Sequence, residues 1–272
     1  MSSTRHVNTP SLTTRHVVLE VLSAWPSRGA VPVRALVQVG ELFDMADNSV
    51  RVALTRLVAD GRVESPERGR YRLGPAAAAI EAKVSSWRRL DRWLDQRTWS
   101  GGWWMHTATG AARHRSRALR MWGFRELLPG TSVRPSNLVL DRSTLIERLR
   151  ALGVGSADLL VHTDSLGERE DQARGLWAPD QLEEGYARLT ARLHNSMARL
   201  EHMGPADALR EAFLTGREGI RALVLDPLLP APLVDVRKRR ELQDTLRAYD
   251  VRGQTLWRRF LGELLADEGE AA

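Results

Sequence analysis

The stretch that most constrains this chain runs from Ser49 to Asp60. Val50, Leu54, Leu57 and Val58 form one apolar stripe at helical spacing, and Arg51, Val52, Thr55 and Arg56 fall on the opposite side. The spacing predicts a helix capped by Asn48 or Ser49 and stopped at Gly61. Such a helix needs apolar neighbours, and the flanks supply them. Upstream, Val17, Val18, Val21, Leu22 and Trp25 repeat with the same period between Leu12 and Trp25. Pro26, Gly29 and Pro32 then punctuate, and Leu36 and Val39 mark a short second helix with Gly40 near its end. Asp44 to Asn48 is turn chemistry. Downstream, Arg62–Glu64 and Arg70–Leu73 are β-prone pieces around a Ser65–Gly69 turn.

Helix, helix, turn, helix and an arginine-tipped hairpin is the order of a winged helix-turn-helix. A slim helix enters the DNA major groove, where Arg51, Thr55 and Arg56 reach base edges or phosphates. The helix start at Asn48 and Ser49 offers backbone N–H groups to a phosphate. Arg68, Arg70 and Arg72 on the hairpin grip the backbone or minor groove. Some winged helices only contact other proteins, so an interaction adaptor is an alternative reading of the same pattern.

The remaining chain changes character twice. Ile80, Val84, Trp87, Leu90 and Leu94 predict a linking helix over 80–98. From residue 99 to 178 the expected order is a strand at Gly102–His106, a helix at Arg113–Met121, strands at Thr131–Pro135 and Asn137–Leu140, a helix at Ser143–Leu152, and a strand at Asp158–Thr163. That β-α-β-β-α-β order is the ferredoxin-like unit. Residues 179–272 read as helical: Pro179–Met203, Pro205–Thr215, Gly216–Leu225 and a last helix from Asp235 that Gly253 interrupts. The fold class is therefore α+β: a winged helix-turn-helix over 1–79, the linking helix, a ferredoxin-like middle domain and a helical C-terminal domain.

Charge follows the same division. Residues 1–75 carry ten basic and seven acidic side chains, 76–165 carry fourteen and eight, and 166–272 carry sixteen and nineteen. A basic front with an acidic rear suits a polyanionic partner at the front. The chain has no cysteine, which excludes a disulfide scaffold, a thiolate zinc site and a cysteine nucleophile. No apolar run approaches the ~18 residues of a membrane span, and Met1–Thr14 lacks a signal-peptide core. A cytoplasmic protein is the expectation.

Enzyme signatures are missing. Lys83 and Lys238 sit in no phosphate loop, Gly130-Thr-Ser132-Val-Arg134 fails the nucleophile-elbow pattern, and Gly153-Val-Gly155 lacks a third glycine. The histidines form no zinc-protease motif. Neither a cofactor, a metal nor an enzymatic activity is expected. The alternative from another class is a metal-dependent nuclease built on the ferredoxin-like domain. It needs carboxylates where the first strand ends, and Thr107-Ala-Thr109 holds none.

Several strings, in order and spacing, resemble the PaaX-type repressors of phenylacetate degradation. They are Val50-Arg-Val-Ala-Leu-Thr-Arg-Leu57 with Asp60-Gly61, Leu119-Arg-Met-Trp-Gly-Phe-Arg-Glu-Leu-Leu-Pro-Gly130, Val133-Arg-Pro135, Leu176-Trp177 leading to Tyr186, and Asp226-Pro227 with Leu229-Pro230. The resemblance implies a homodimeric transcriptional repressor on double-stranded DNA, released by an aryl- or acyl-coenzyme A thioester such as phenylacetyl-CoA. One departure is Val234-Asp-Val-Arg-Lys-Arg-Arg240, where the family pattern has a tryptophan-proline-glycine turn. An acyl-CoA needs cations for its phosphates and an apolar slot for its acyl group. Arg113, Arg117 and Arg120 beside Trp103, Trp104 and Trp122 are the candidate effector site, and Arg237 to Arg240 is a second basic run, expected to be a solvated helix start. A ligand that alters the ~34 Å spacing of two paired recognition helices would release DNA.

Overall fold

A computed structural model describes residues 12–24, 29–77, 99–109, 113–139, 141–150 and 154–269. The expected linking helix lies outside them. Among the described residues the chain is mixed α and β, with two antiparallel sheets and a helical C-terminal region. It divides into two compact units, one of Met1–Lys83, His202–Glu211 and Arg252–Ala272, the other of Val84–Glu201 and Ala212–Val251.

In the first unit α1 (Thr14–Ala24), β1 (Val31–Pro32), α2 (Val33–Glu41), α3 (Asp47–Ala59), β2 (Val63–Glu67) and β3 (Arg70–Leu73) follow one another. The strands pair antiparallel in the order β1-β3-β2. The three helices pack together, and Val17, Val18, Val21, Leu22, Leu36, Val39, Val50, Leu54 and Leu57 are buried among them. Each such side chain contributes about 1.5–3 kcal/mol when fully removed from water. Two expectations need correction. α3 begins at Asp47 behind Ala46, which has no capping side chain, so Asn48 and Ser49 lie in the first turn and not at the cap. Val58 is 39% exposed, because at about 100° per residue it falls about 80° from Val50, at the margin of the stripe. Ala53 is buried in its place.

The order β4 (Trp103–Thr107), α4 (Arg113–Met121), β5 (Arg125–Leu128), β6 (Thr131–Pro135), α5 (Arg142–Arg150), β7 (Leu159–Thr163) comes next. Its sheet runs β5-β6-β4-β7, every neighbour antiparallel. The β-α-β-β-α-β order is as expected, but one strand is not. Arg125–Leu128 pairs with β6 across Pro129-Gly130, whereas Asn137 is not in a strand. Arg-Glu-Leu-Leu has helical propensity, and sheet pairing overrides it here. Ala118, Leu119, Phe124, Leu145, Leu149, Val154 and Leu160 form the core of this sheet, with Trp104, Trp122 and Ile146 against it.

Asn137 has a different task. Arg134 is fully buried and donates from Nε to Pro135 O at 3.0 Å, from Nη1 to Trp122 O, and from Nη2 to Asn137 Oδ1 at 3.2 Å. Asn137 in turn donates to Leu228 O at 2.7 Å. Burial pulls the Arg134 guanidinium down to about 9, so it stays charged at neutral pH while held by oxygens that carry no charge.

The rest is helical: α6 (Glu170–Gly175), α7 (Pro179–Leu200), α8 (Pro205–Val224) and α9 (Val236–Gly269). α8 is unbroken at Gly216, where the sequence predicts two helices, and α9 continues through Gly253. A buried cluster ties α7 to the segment before α9. Tyr186 donates to Asp226 Oδ2 at 2.6 Å, Leu228 N donates to Asp226 Oδ1 at 2.6 Å, and Arg239 lies 3.8 Å from the same oxygen. Burial pushes the Asp226 carboxyl above its ordinary range, against the pull of Arg239.

Candidate nucleic-acid interface

The surface of α3 opposite its buried stripe is open along its whole length. Asn48, Arg51, Val52, Thr55, Arg56 and Ala59 recur at three- and four-residue steps, and all are exposed. The helix is held from beneath by α1 and α2 and at its far end by β2. The preceding turn, in which Asp44 takes φ 57°, is pinned by Arg210, which donates to Leu42 O and lies 3.6 Å from Asp44. Because Ala46 cannot cap, the first-turn N–H groups beside Asn48 and Ser49 are left without a side-chain acceptor. Ser49 N–H itself bonds Ala46 O at 2.9 Å.

The cations differ in how they are held. Arg51 donates from Nε to Asp47 Oδ1 at 2.6 Å and from Nη2 to Asp47 Oδ2 at 3.3 Å. Asp47 also raises the Arg51 guanidinium above its ordinary value. Thr55 turns its hydroxyl back to Arg51 O at 3.0 Å. Arg56 is exposed near the end of the helix. On the hairpin, Arg68 is exposed beside the β2–β3 turn, Arg70 is half-buried 3.9 Å from Glu67, and Arg72 donates to Glu64 Oε2 at 3.0 Å. Asp60, at the helix end, is paired with Arg15. Arg51, Arg56, Arg68, Arg70 and Arg72 are the arginines expected here from the sequence, whereas Arg15 and the acids Asp47, Asp60, Glu64 and Glu67 are not among the expected residues. Asp47, four residues before Arg51, is the visible signal, since that spacing brings opposite charges together on a helix.

The candidate effector residues are divided by the sheet. Trp104 and Trp122 lie against the α4–α5 core, Trp104 edge-on to His162 at 5.2 Å and Trp122 beneath the Arg148 guanidinium at 5.3 Å. Trp103 points to the other face, as adjacent strand residues must. It is fully buried, stacked at 6.1 Å on Trp177, edge-on to Trp99 at 5.1 Å, and its Nε1 donates to Glu170 at 3.1 Å. Arg120 is exposed and donates to Ser116 O at 3.2 Å. Arg113 and Arg117 lie on α4, with side chains outside the described ones. The second basic run is not solvated throughout, which corrects that expectation. Arg237 pairs with Asp235, Lys238 with Glu183 at 2.8 Å, and Arg239 is buried and donates to Leu229 O at 2.7 Å.

At the end of β4 the fold supplies an acid that the local sequence lacks. Asp158 accepts at Oδ1 from Thr109 N and Oγ1, each at 3.2 Å, and its Oδ2 lies 3.1 Å from His106 Nε2. Its oxygens are thereby engaged, and among the described residues no three of His, Cys, Asp or Glu gather closely enough to hold a metal ion. Among the described residues no helix is long and apolar enough to cross a membrane.

Residues 13–76 match the family described as PaaX-like protein. Among solved structures, the uncharacterized protein Rv0674 from Mycobacterium tuberculosis is similar over 93% of this chain and 99% of its own, with 26% sequence identity and a TM-score of 0.62. No curated protein matches.

Proposed function

We propose, from the premise that residues 13–76 belong to the PaaX-like protein family, that this chain is a transcriptional regulator that binds double-stranded DNA. The observation that carries the reading is the open face of α3, with Arg51, Thr55 and Arg56 outward over a helical base and an arginine-bearing hairpin behind it. The helix order and the β1-β3-β2 sheet support a winged helix-turn-helix over 1–79. The β5-β6-β4-β7 order supports a ferredoxin-like domain over 99–178, joined through 80–98 and followed by the helical domain of 179–272. In this reading Arg51 and Arg56 reach the major groove and Arg68, Arg70 and Arg72 hold the backbone or minor groove. Asn48 and Ser49 approach a phosphate.

A homodimer acting as repressor and released by an acyl-CoA completes the proposal. The effector site would draw on Arg113, Arg117 and Arg120 with Trp104 and Trp122, while Trp103 serves the packing of its face. The test is a gel shift on DNA upstream of the chain's own gene, with and without a panel of acyl-CoA thioesters. Arg51→Ala and Arg56→Ala are each expected to weaken binding, on the order of tenfold for an arginine bidentate to guanine. Undiminished affinity in both variants would move the winged helix to a protein-interaction role.

A further inference from the structure

Asp47 opens α3 and points its carboxylate at the guanidinium of Arg51, one turn along. Its two oxygens take Nε–H at 2.6 Å and one Nη2–H at 3.3 Å. Both side chains are about half exposed, 55% for Arg51 and 52% for Asp47, so the pair adds little to stability. What it adds is direction. A guanidinium carries five N–H donors in a fixed plane. With one edge occupied by Asp47, Nη1 and the remaining Nη2–H form a two-donor end. That end matches the O6 and N7 acceptors of guanine in the major groove.

The same carboxylate acts on the competing partner. A phosphate approaching Arg51 also meets the negative charge of Asp47, whereas a guanine edge is a neutral acceptor pair and can be bonded with the Asp47 contact intact. Arg56 and Arg68 have no ion pair among the described residues, and nothing of this kind filters what they hold. Arg72 differs again: its Nε and Nη2 both go to the single oxygen Oε2 of Glu64, at 3.0 and 2.9 Å.

We infer that Asp47 is a specificity-determining residue of the DNA surface, one that aims Arg51 at guanine and disfavours its use on bare phosphate. This rests on α3 being the helix that reads DNA. The experiment starts with a randomised duplex library, from which the wild-type chain selects its preferred sequence. Affinities are then measured on that duplex and on a scrambled duplex of the same composition, for the wild type, Asp47→Asn, Glu64→Gln and Arg51→Ala. Asp47→Asn is expected to tighten binding to scrambled DNA and lower the ratio of selected to scrambled affinity about tenfold, as Arg51→Ala does by losing the base contact. Glu64→Gln makes the same change in charge and is expected to move both affinities by one common factor. An Asp47→Asn variant that also moves both by one factor overturns the inference and leaves DNA reading by α3 intact. A wild-type chain that enriches no sequence overturns the DNA reading itself, and the inference with it. Thermal unfolding of each variant confirms that the comparison is between folded proteins.

Discussion

Gly123 and Gly130 both hold φ in the left-handed region, at 79° and 77°, yet only one is crowded. A Cβ on Gly123 would lie 2.7 Å from Pro227 O and 3.4 Å from Arg134 Nη1, while one on Gly130 would meet nothing within 4 Å. Both alanine variants bear the left-handed cost of about 1 kcal/mol. Gly123→Ala must also push a backbone carbonyl away, for a total of about 3 kcal/mol. Urea unfolding of the two variants should therefore separate them by about 2 kcal/mol, and equal losses would show that the Pro227 segment yields freely. Asp226 gives a pH-dependent counterpart. Its folded value is raised by burial, so above the ordinary aspartate value near 4 the native state keeps a proton that the unfolded chain has lost. Stability from this group is thus present at low pH and declines as pH rises towards the raised value. Asp226→Asn removes that titration. The difference in unfolding free energy between wild type and variant should shift against the wild type as pH rises from 4, and a difference independent of pH would contradict the assignment.

Between elements, the contact that sets α3 is the close approach of α2 at Gly40, where a Cβ would stand 2.6 Å from Val50 Cγ2. Valine is branched at Cβ and fully buried here, so it cannot swing clear. Gly40→Ala is expected to cost about 1–3 kcal/mol and to tilt α3. DNA affinity in a gel shift should fall although every proposed contact residue is intact; unaltered affinity would mean that the helices separate without turning α3. In the sequence Gly40 reads as the end of a helix, and nothing local marks it as a contact. The same limit explains Gly216, read as a break, which lies inside α8 against Tyr249, 3.6 Å from a Cβ placed there. Periodicity made α1, α3 and the buried stripe legible, because amphipathic spacing is a local property. It missed β5, since Arg125–Leu128 becomes a strand only through its ladder to Thr131–Pro135. It likewise missed Asp158 at the end of β4, brought there from 49 residues beyond Thr109. The arginines of the candidate site were readable as residue types at helical spacing. Of the acids that hold them, Asp47 was legible from its four-residue spacing to Arg51, whereas Glu64 was not, because it meets Arg72 only through the register of the hairpin.

For the molecule as a whole the strongest constraint is electrostatic. With a net formal charge of +6 and its excess in the first 165 residues, the proposed association with DNA is expected to depend on counterion release. Each phosphate neutralised adds about 0.9 to the slope of log affinity against log salt. Arg68→Ala, removing a hairpin cation without an ion pair among the described residues, should reduce that slope by about one. Arg51→Ala should alter it less, because Arg51 already has Asp47. The second consequence concerns the number of chains. In the proposed reading one α3 offers the bases only a few residues, Arg51, Thr55 and Arg56, too few to select one site in a genome. Two copies related by a two-fold axis double the sequence read, and each mismatch then costs about 1–3 kcal/mol across both halves. The selected DNA is therefore expected to be an inverted repeat with half-sites one helical turn or a multiple apart, and sedimentation should find two chains on each duplex. A single non-repeated site bound by one chain would remove the homodimer from the proposal. An effector acting through half-site spacing would then have nothing to act on.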